Sequence, residues 1–96
     1  MLDYLQIENC IKTLLRKYNA ESALIFGSYA RNEANLNSDI DVIVFGGKLF
    51  NKCDIFSFAD DLFEMTGKNV DVFEISEVNP GTPFYENVMR EGRKIA

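Results

Sequence analysis

Histidine is absent from the sequence. That removes the usual general base, the usual zinc ligand, and every Ser-His or Cys-His arrangement. If the protein is an enzyme, its chemistry runs on carboxylates. Cysteine is nearly as scarce. Cys10 and Cys53 stand far apart and outside any C-x-x-C pattern, so they read as two buried, reduced thiols rather than a disulfide or a metal site. Cations are in deficit: 10 Lys and Arg against 15 Asp and Glu give a formal net charge of -5. Binding nucleic acid by phosphate neutralisation wants a basic face, and no basic stripe interleaved with aromatics is present. No apolar run approaches the roughly 20 residues that span a bilayer. The stretch MLDYLQIENC carries an acid where a signal peptide has a basic n-region. These absences point to a cytoplasmic protein with no membrane partner and no direct contact with nucleic acid.

What is present suffices for a core. Hydrophobic residues make up 47% of the 96 positions, and one domain over 1–96 is the expectation. Residues 2–18 read as a helix, with Ile7, Ile11, Leu14, Leu15 and Tyr18 at helical spacing and Lys12, Arg16 and Lys17 toward its end. Ala23 to Phe26 is short and wholly apolar, as a central strand covered on both faces would be. Residues 28–34 suggest a short helix. Asp39 to Phe45 reads as a second strand, broken by Gly46-Gly47. Asp54 can cap a helix running to about Thr66. Val70 to Ile75 reads as a third strand. Phe84 to about Glu91 suggests a last helix ended by Gly92, after which Arg93 to Ala96 either add a short edge strand or fray. The expected fold class is therefore α/β (α+β): a small mixed sheet of three to four strands with helices packed on it.

The chemistry concentrates in 27-GSYARNEANLNSDIDVIVF-45. Asp39 and Asp41 lie two residues apart in an apolar strand. They therefore share a face at about 6.5–7 Å between Cα atoms. Two like charges so placed are costly unless a cation neutralises them. Oxygen-only ligation selects Mg²⁺ or Mn²⁺ over zinc, and paired carboxylates suit the two-metal sites of phosphoryl transfer. Asp71 on the third strand is the best third carboxylate. Glu74 has the opposite parity, which points it to solvent or to a salt bridge. Gly27 would let a phosphate approach the backbone, and Ser28 and the N–H groups of a helix start would bind its oxygens. Arg31 would pair with phosphate or brace the loop against an acid. Taken singly, each feature has a plainer reading: a capped turn, a solvated edge strand, an Asp71–Lys68 pair, a solvated arginine. Tyr29 could stack on a base or pack underneath. Phe50 and Tyr85 read as core.

Gly27-Ser28-Tyr29-Ala30-Arg31 followed by Ser38-Asp39-Ile40-Asp41-Val42 resembles the GSxARG…SDIDL signature of the polymerase-beta-like nucleotidyltransferases, and most of all their minimal MNT-domain members. The third-strand aspartate and the ending Val88-Met89-Arg90-Glu91-Gly92-Arg93-Lys94-Ile95 are similar too. The chain departs from the pattern at Asn32, where the family usually has Gly. Asn is the next most tolerant residue of left-handed backbone, so the turn is expected to survive. The resemblance implies that Asp39, Asp41 and Asp71 hold two Mg²⁺ ions, that Gly27 and Ser28 grip the phosphates of ATP, and that AMP passes to a hydroxyl as pyrophosphate leaves. It further implies an antitoxin whose partner is a HEPN-domain ribonuclease toxin, modified on a tyrosine. The assembly would be a hetero-oligomer, with a homodimer as the other arrangement. Two other functions stay open: neutralisation of the toxin by binding and occlusion alone, and nucleotidyl transfer to a small molecule such as an aminoglycoside.

Overall fold

The computed structural model describes residues 3–96. Helix α1 (Tyr4–Lys17) leads into strand β1 (Ser22–Phe26), and a long loop connects β1 to β2 (Ile40–Phe45). Helix α2 (Asp54–Thr66), strand β3 (Val70–Glu74), a 3₁₀ turn at Ile75–Glu77, helix α3 (Pro83–Glu91) and strand β4 (Arg93–Ile95) complete the order. The four strands form one mixed sheet in the order β3-β2-β1-β4. β1 is antiparallel to β2 and to β4, and β2 is parallel to β3. A parallel pair needs a crossover, and α2 supplies it.

Alternation along the strands divides the core. One face carries Ala23, Ile25, Ile40, Val42 and Val44, which pack with Ile7, Ile11, Leu14 and Leu15 of α1 and Ile55, Phe58 and Leu62 of α2. The other face carries Ile43, covered by Val78 and by Val88 of α3. Helix α1 begins at a capping box in which Asp3 and Gln6 satisfy each other's backbone N–H. At its other end, Lys17 Nζ and the Tyr18 hydroxyl both donate to Asp61 Oδ2, at 2.7 and 2.5 Å, and so tie α1 to α2.

The pattern-based elements stand, with changes of detail: β2 begins at Ile40 rather than Asp39, and β3 ends at Glu74 rather than Ile75. Leu2, where the sequence starts the first helix, lies outside the described residues. The short helix expected over 28–34 is a turn: Asn32 adopts φ 60 and ends it after Arg31 N–H has bonded to the Gly27 carbonyl. Asp54 is the first residue of α2 rather than its cap. That place falls to Cys53, which makes no side-chain capping bond. Cys53 is accordingly exposed and Cys10 half-buried, so the expectation of two buried thiols fails. Phe50, by contrast, is buried as expected, and Tyr85 packs against the smaller core cluster.

A further change concerns Glu74, which goes neither to solvent nor to a salt bridge. It is 3% exposed. Its parity places it beside Val44, on the face that packs α1 and α2. Burial pushes its carboxyl up. The Ser76 hydroxyl and N–H and the Gly46 N–H donate to it and together hold it below the ordinary carboxylate value. The carboxylate thus pins the strand-ending glycine of β2 to the turn after β3. Glu74→Ala should cost about 1–3 kcal/mol in chemical denaturation, because it leaves the buried Gly46 N–H without an acceptor. A loss below about 0.5 kcal/mol would show that this acceptor is dispensable.

Candidate active site

Three chain segments meet at one end of the sheet because of strand direction alone. β1 ends there, while β2 and β3, antiparallel to β1, both begin there. Phe26, Asp41 and Asp71 fall in a row across the three strands. Paired residues on neighbouring strands point to the same face, so Asp41 and Asp71 project together. The third-strand aspartate expected from the sequence is thus beside its partner. Asp39 lies one residue before β2 rather than inside it, and is exposed.

Gly27 follows Phe26 directly and turns the chain at φ 73, a left-handed conformation that favours glycine. Space imposes the same choice. A Cβ at Gly27 would run into Oδ2 of Asp41. The turn backbone and the first carboxylate are therefore in contact, and any side chain at 27 would separate them. Ser28 comes next, half-buried, and its carbonyl accepts from Glu33 N–H at 2.8 Å. With no helix here, phosphate binding at this turn would rest on the Gly27 and Ser28 backbone and the Ser28 hydroxyl. The left-handed Asn32 closes the turn, as its tolerance for that backbone leads one to expect.

Arg31 reaches in two directions. Its Nε lies 2.5 Å from Glu33 Oε1 and its Nη1 3.1 Å from Glu91 Oε2, the last residue of α3. It braces the turn against α3, one of the two roles its type suggests. Tyr29 packs underneath rather than facing a ligand; it is 5% exposed and joins the larger core cluster. The plainer alternative for Asp71, a pair with Lys68, is not formed. Lys68 Nζ donates to the Leu36 carbonyl at 3.1 Å and sits over the Tyr29 ring. Lys68 lines a polar cavity of about 220 Å³ with Ser38, Asp39 and Asn69, a feature that no sequence pattern announced.

The electrostatics of the cluster are those of a site short of positive charge. Asp41 is pushed up to about 6, first by burial, then by Asp71 beside it and by Asp39; Arg31 pulls weakly the other way. Among the described residues no three potential ligands close into a ready-made metal cluster. The pair Asp41–Asp71 is the formed part, and the exposed Asp39 acts on Asp41 through its charge. The donor set still fits a hard divalent cation: it is all oxygen, holds excess negative charge, and contains a carboxyl that a cation would relieve.

A pH dependence follows. The folded value of Asp41, about 6, lies above its ordinary 3.8. The cost of ionising it is therefore fully present above about pH 6 and fades as pH falls toward 4. Glu74 and Asp61 are shifted the other way, and the stability they contribute is lost only at lower pH. In EDTA, the melting temperature should rise between pH 7 and pH 5. Asp41→Asn should flatten that rise and be at least as stable as the wild type at pH 7. A wild-type melting temperature that is flat or falling over this interval would contradict the account.

Comparison with known proteins agrees with this geometry. The family model "Polymerase beta, Nucleotidyltransferase" matches residues 8–96. The chain is 39% identical over 75 residues to "Putative protein adenylyltransferase MJ0435" of Methanocaldococcus jannaschii, a match spanning 78% of this chain and 81% of that protein. A crystal structure of a toxin-antitoxin with AMP-PNP superposes with a TM-score of 0.78 at 25% identity, over 93% of this chain and 72% of that one. A tri-AMPylated Shewanella oneidensis HEPN toxin in complex with its MNT antitoxin gives a TM-score of 0.70 at 23% identity, over 94% and 69% of the two chains, and supports the fold alone. The mixed sheet, the Gly27 turn against Asp41, and a family match over nearly the whole length lead to one conclusion: this chain belongs to the polymerase beta nucleotidyltransferase family.

Proposed function

We propose that this chain transfers AMP from ATP to a tyrosine hydroxyl of a partner HEPN-type ribonuclease toxin, and so acts as its antitoxin. The observation that carries the reading is the contact between the Gly27 turn and Asp41, which stands in register with Asp71. A phosphate-accepting backbone and a carboxylate pair short of positive charge are what nucleotidyl transfer needs side by side. Support for the acceptor comes from the relative named a protein adenylyltransferase. Support for the nucleotide and for a toxin partner comes from the toxin-antitoxin structure with AMP-PNP; the HEPN class of that partner follows the name of a neighbour that shares the fold.

Asp39, Asp41 and Asp71 are the residues that would hold two Mg²⁺ ions, with Mn²⁺ the other ion suited to oxygen donors. When bound, such ions supply positive charge to the phosphoryl oxygens, where charge builds up in phosphoryl transfer. Gly27 offers bare backbone to the β- and γ-phosphates, and the Ser28 hydroxyl donates to them. Arg31 holds that turn in place through Glu33 and Glu91. Asp71, exposed beside Asp41, accepts the proton of the attacking hydroxyl. The hydroxyl oxygen bonds to the α-phosphorus as the bond to the β-phosphate bridge breaks, and pyrophosphate leaves.

The test uses α-labelled ATP, Mg²⁺ and this chain together with the protein that co-purifies with it from its native cell. Label should appear on that partner, and mass spectrometry should place it on tyrosine. Asp39→Ala/Asp41→Ala should lose it. Asp41→Asn alone should slow transfer at least about 100-fold, the scale on which removing one stabilising group is felt. A stable complex with no label would favour inhibition by occlusion. Label on an aminoglycoside in the absence of any partner would move the acceptor to a small molecule.

A further inference from the structure

The face that carries Asp41 and Asp71 carries aromatic rings beside them. Phe73 follows Asp71 by two residues on β3, so the two side chains share a face. Phe26 sits opposite Asp41 at the end of β1. Phe84, from the first turn of α3, closes the group. Its ring stands edge-on to Phe26 at 5.6 Å and 84°, and to Phe73 at 5.8 Å and 67°. Phe26 and Phe73 lie 6.4 Å apart at 40°. Rings that serve only to fill a core are normally covered. Phe73 remains 37% exposed and Phe84 43%. Because β3 is an edge strand, no further strand shields Phe73. The buried core of this face, Ile43, Val78 and Val88, is complete without either ring.

We propose that Phe26, Phe73 and Phe84 form the platform on which the adenine of ATP stacks, a role that rests on the nucleotidyl-transfer reading above. The spacing suits it. One step from i to i+2 along a strand is about 6.5–7 Å, comparable to the length of a ribose between an α-phosphate and its base. With the phosphates at Gly27 and the α-phosphate at Asp41 and Asp71, a base reaching along the same face arrives at Phe73. The chemistry also suits it. Every base has a π-face, and stacking on phenylalanine needs no polar reader. The three rings belong to the chain that would grip the phosphates, so the nucleotide site is complete before any partner arrives. An aromatic acceptor side chain of the partner is the competing occupant of the platform.

Calorimetric titration with Mg²⁺-ATP and with Mg²⁺-tripolyphosphate separates the possibilities. The wild type should bind ATP at least roughly ten-fold more tightly than tripolyphosphate, the scale of one base stacked on an aromatic ring. Phe73→Ala and Phe84→Ala should lose that advantage and leave tripolyphosphate binding unchanged. Phe73→Tyr, which keeps a ring, should retain it, and Phe73→Leu, which keeps apolar bulk only, should not. Unchanged ATP binding in the alanine variants overturns the platform, as does an equal loss for both ligands. Unchanged ATP binding with a raised KM for the protein acceptor would assign the rings to the acceptor instead. A wild type that binds ATP no better than tripolyphosphate removes the platform and leaves the transfer reading standing. A wild type that binds neither ligand removes both.

Discussion

Two carboxylates side by side on neighbouring strands repel each other, and the architecture keeps them there. Asp41 and Asp71 are in register on a parallel pair. That pairing exists only because α2 carries the chain back over the sheet. The apolar residues on both sides of the two aspartates fix the register, since a slip of one residue would turn Val42 and Val72 out of the core and the acids into it. Burial of Phe58, Leu62 and Ile55 under α2 thus holds two like charges together. The cost of this arrangement appears in the raised carboxyl of Asp41.

Charge is handled differently at the two ends of β3. At its start, Asp71 faces an open site beside another acid, and among the described residues Arg31 is the cation that pulls on Asp41, itself occupied by Glu33 and Glu91. At its end, Glu74 is buried deeper, yet three donors satisfy it. At Glu74 the hydrogen bonds received outweigh the penalty of burial, whereas at Asp41 burial and the neighbouring acids outweigh the pull of Arg31. Glu74 is thus structural, whereas Asp41 is a carboxyl whose charge a bound cation would relieve.

Much of this was legible in the sequence because it depends on periodicity. The apolar stripes of α1 and α2, the alternation in β2 and the turn glycines report directly on local conformation. The i, i+2 spacing of Asp39 and Asp41, and the odd one out in Val70-Asp71-Val72, were enough to nominate the carboxylates. The features that were missed depend on tertiary partners. No local pattern distinguishes a solvated Glu74 from one that Gly46 and Ser76 enclose. In 28–34 the local sign against a helix was Asn32 and its tolerance of left-handed backbone, and the helical reading of the segment did not use it. The triad of Phe26, Phe73 and Phe84 draws on three separate elements, so it could emerge only with strand order.

The brace on the Gly27 turn has a consequence of its own. Arg31 is exposed and divides its guanidinium between two carboxylates. Exposed ion pairs are worth at most about 1 kcal/mol and weaken as salt rises. An arriving polyanion can therefore take over one arm of the fork while the other arm stays engaged, with little net cost in exchanging one anion for another. The turn is thus held by a clasp that ionic strength loosens, and on the proposed reading the incoming triphosphate would itself help to undo it.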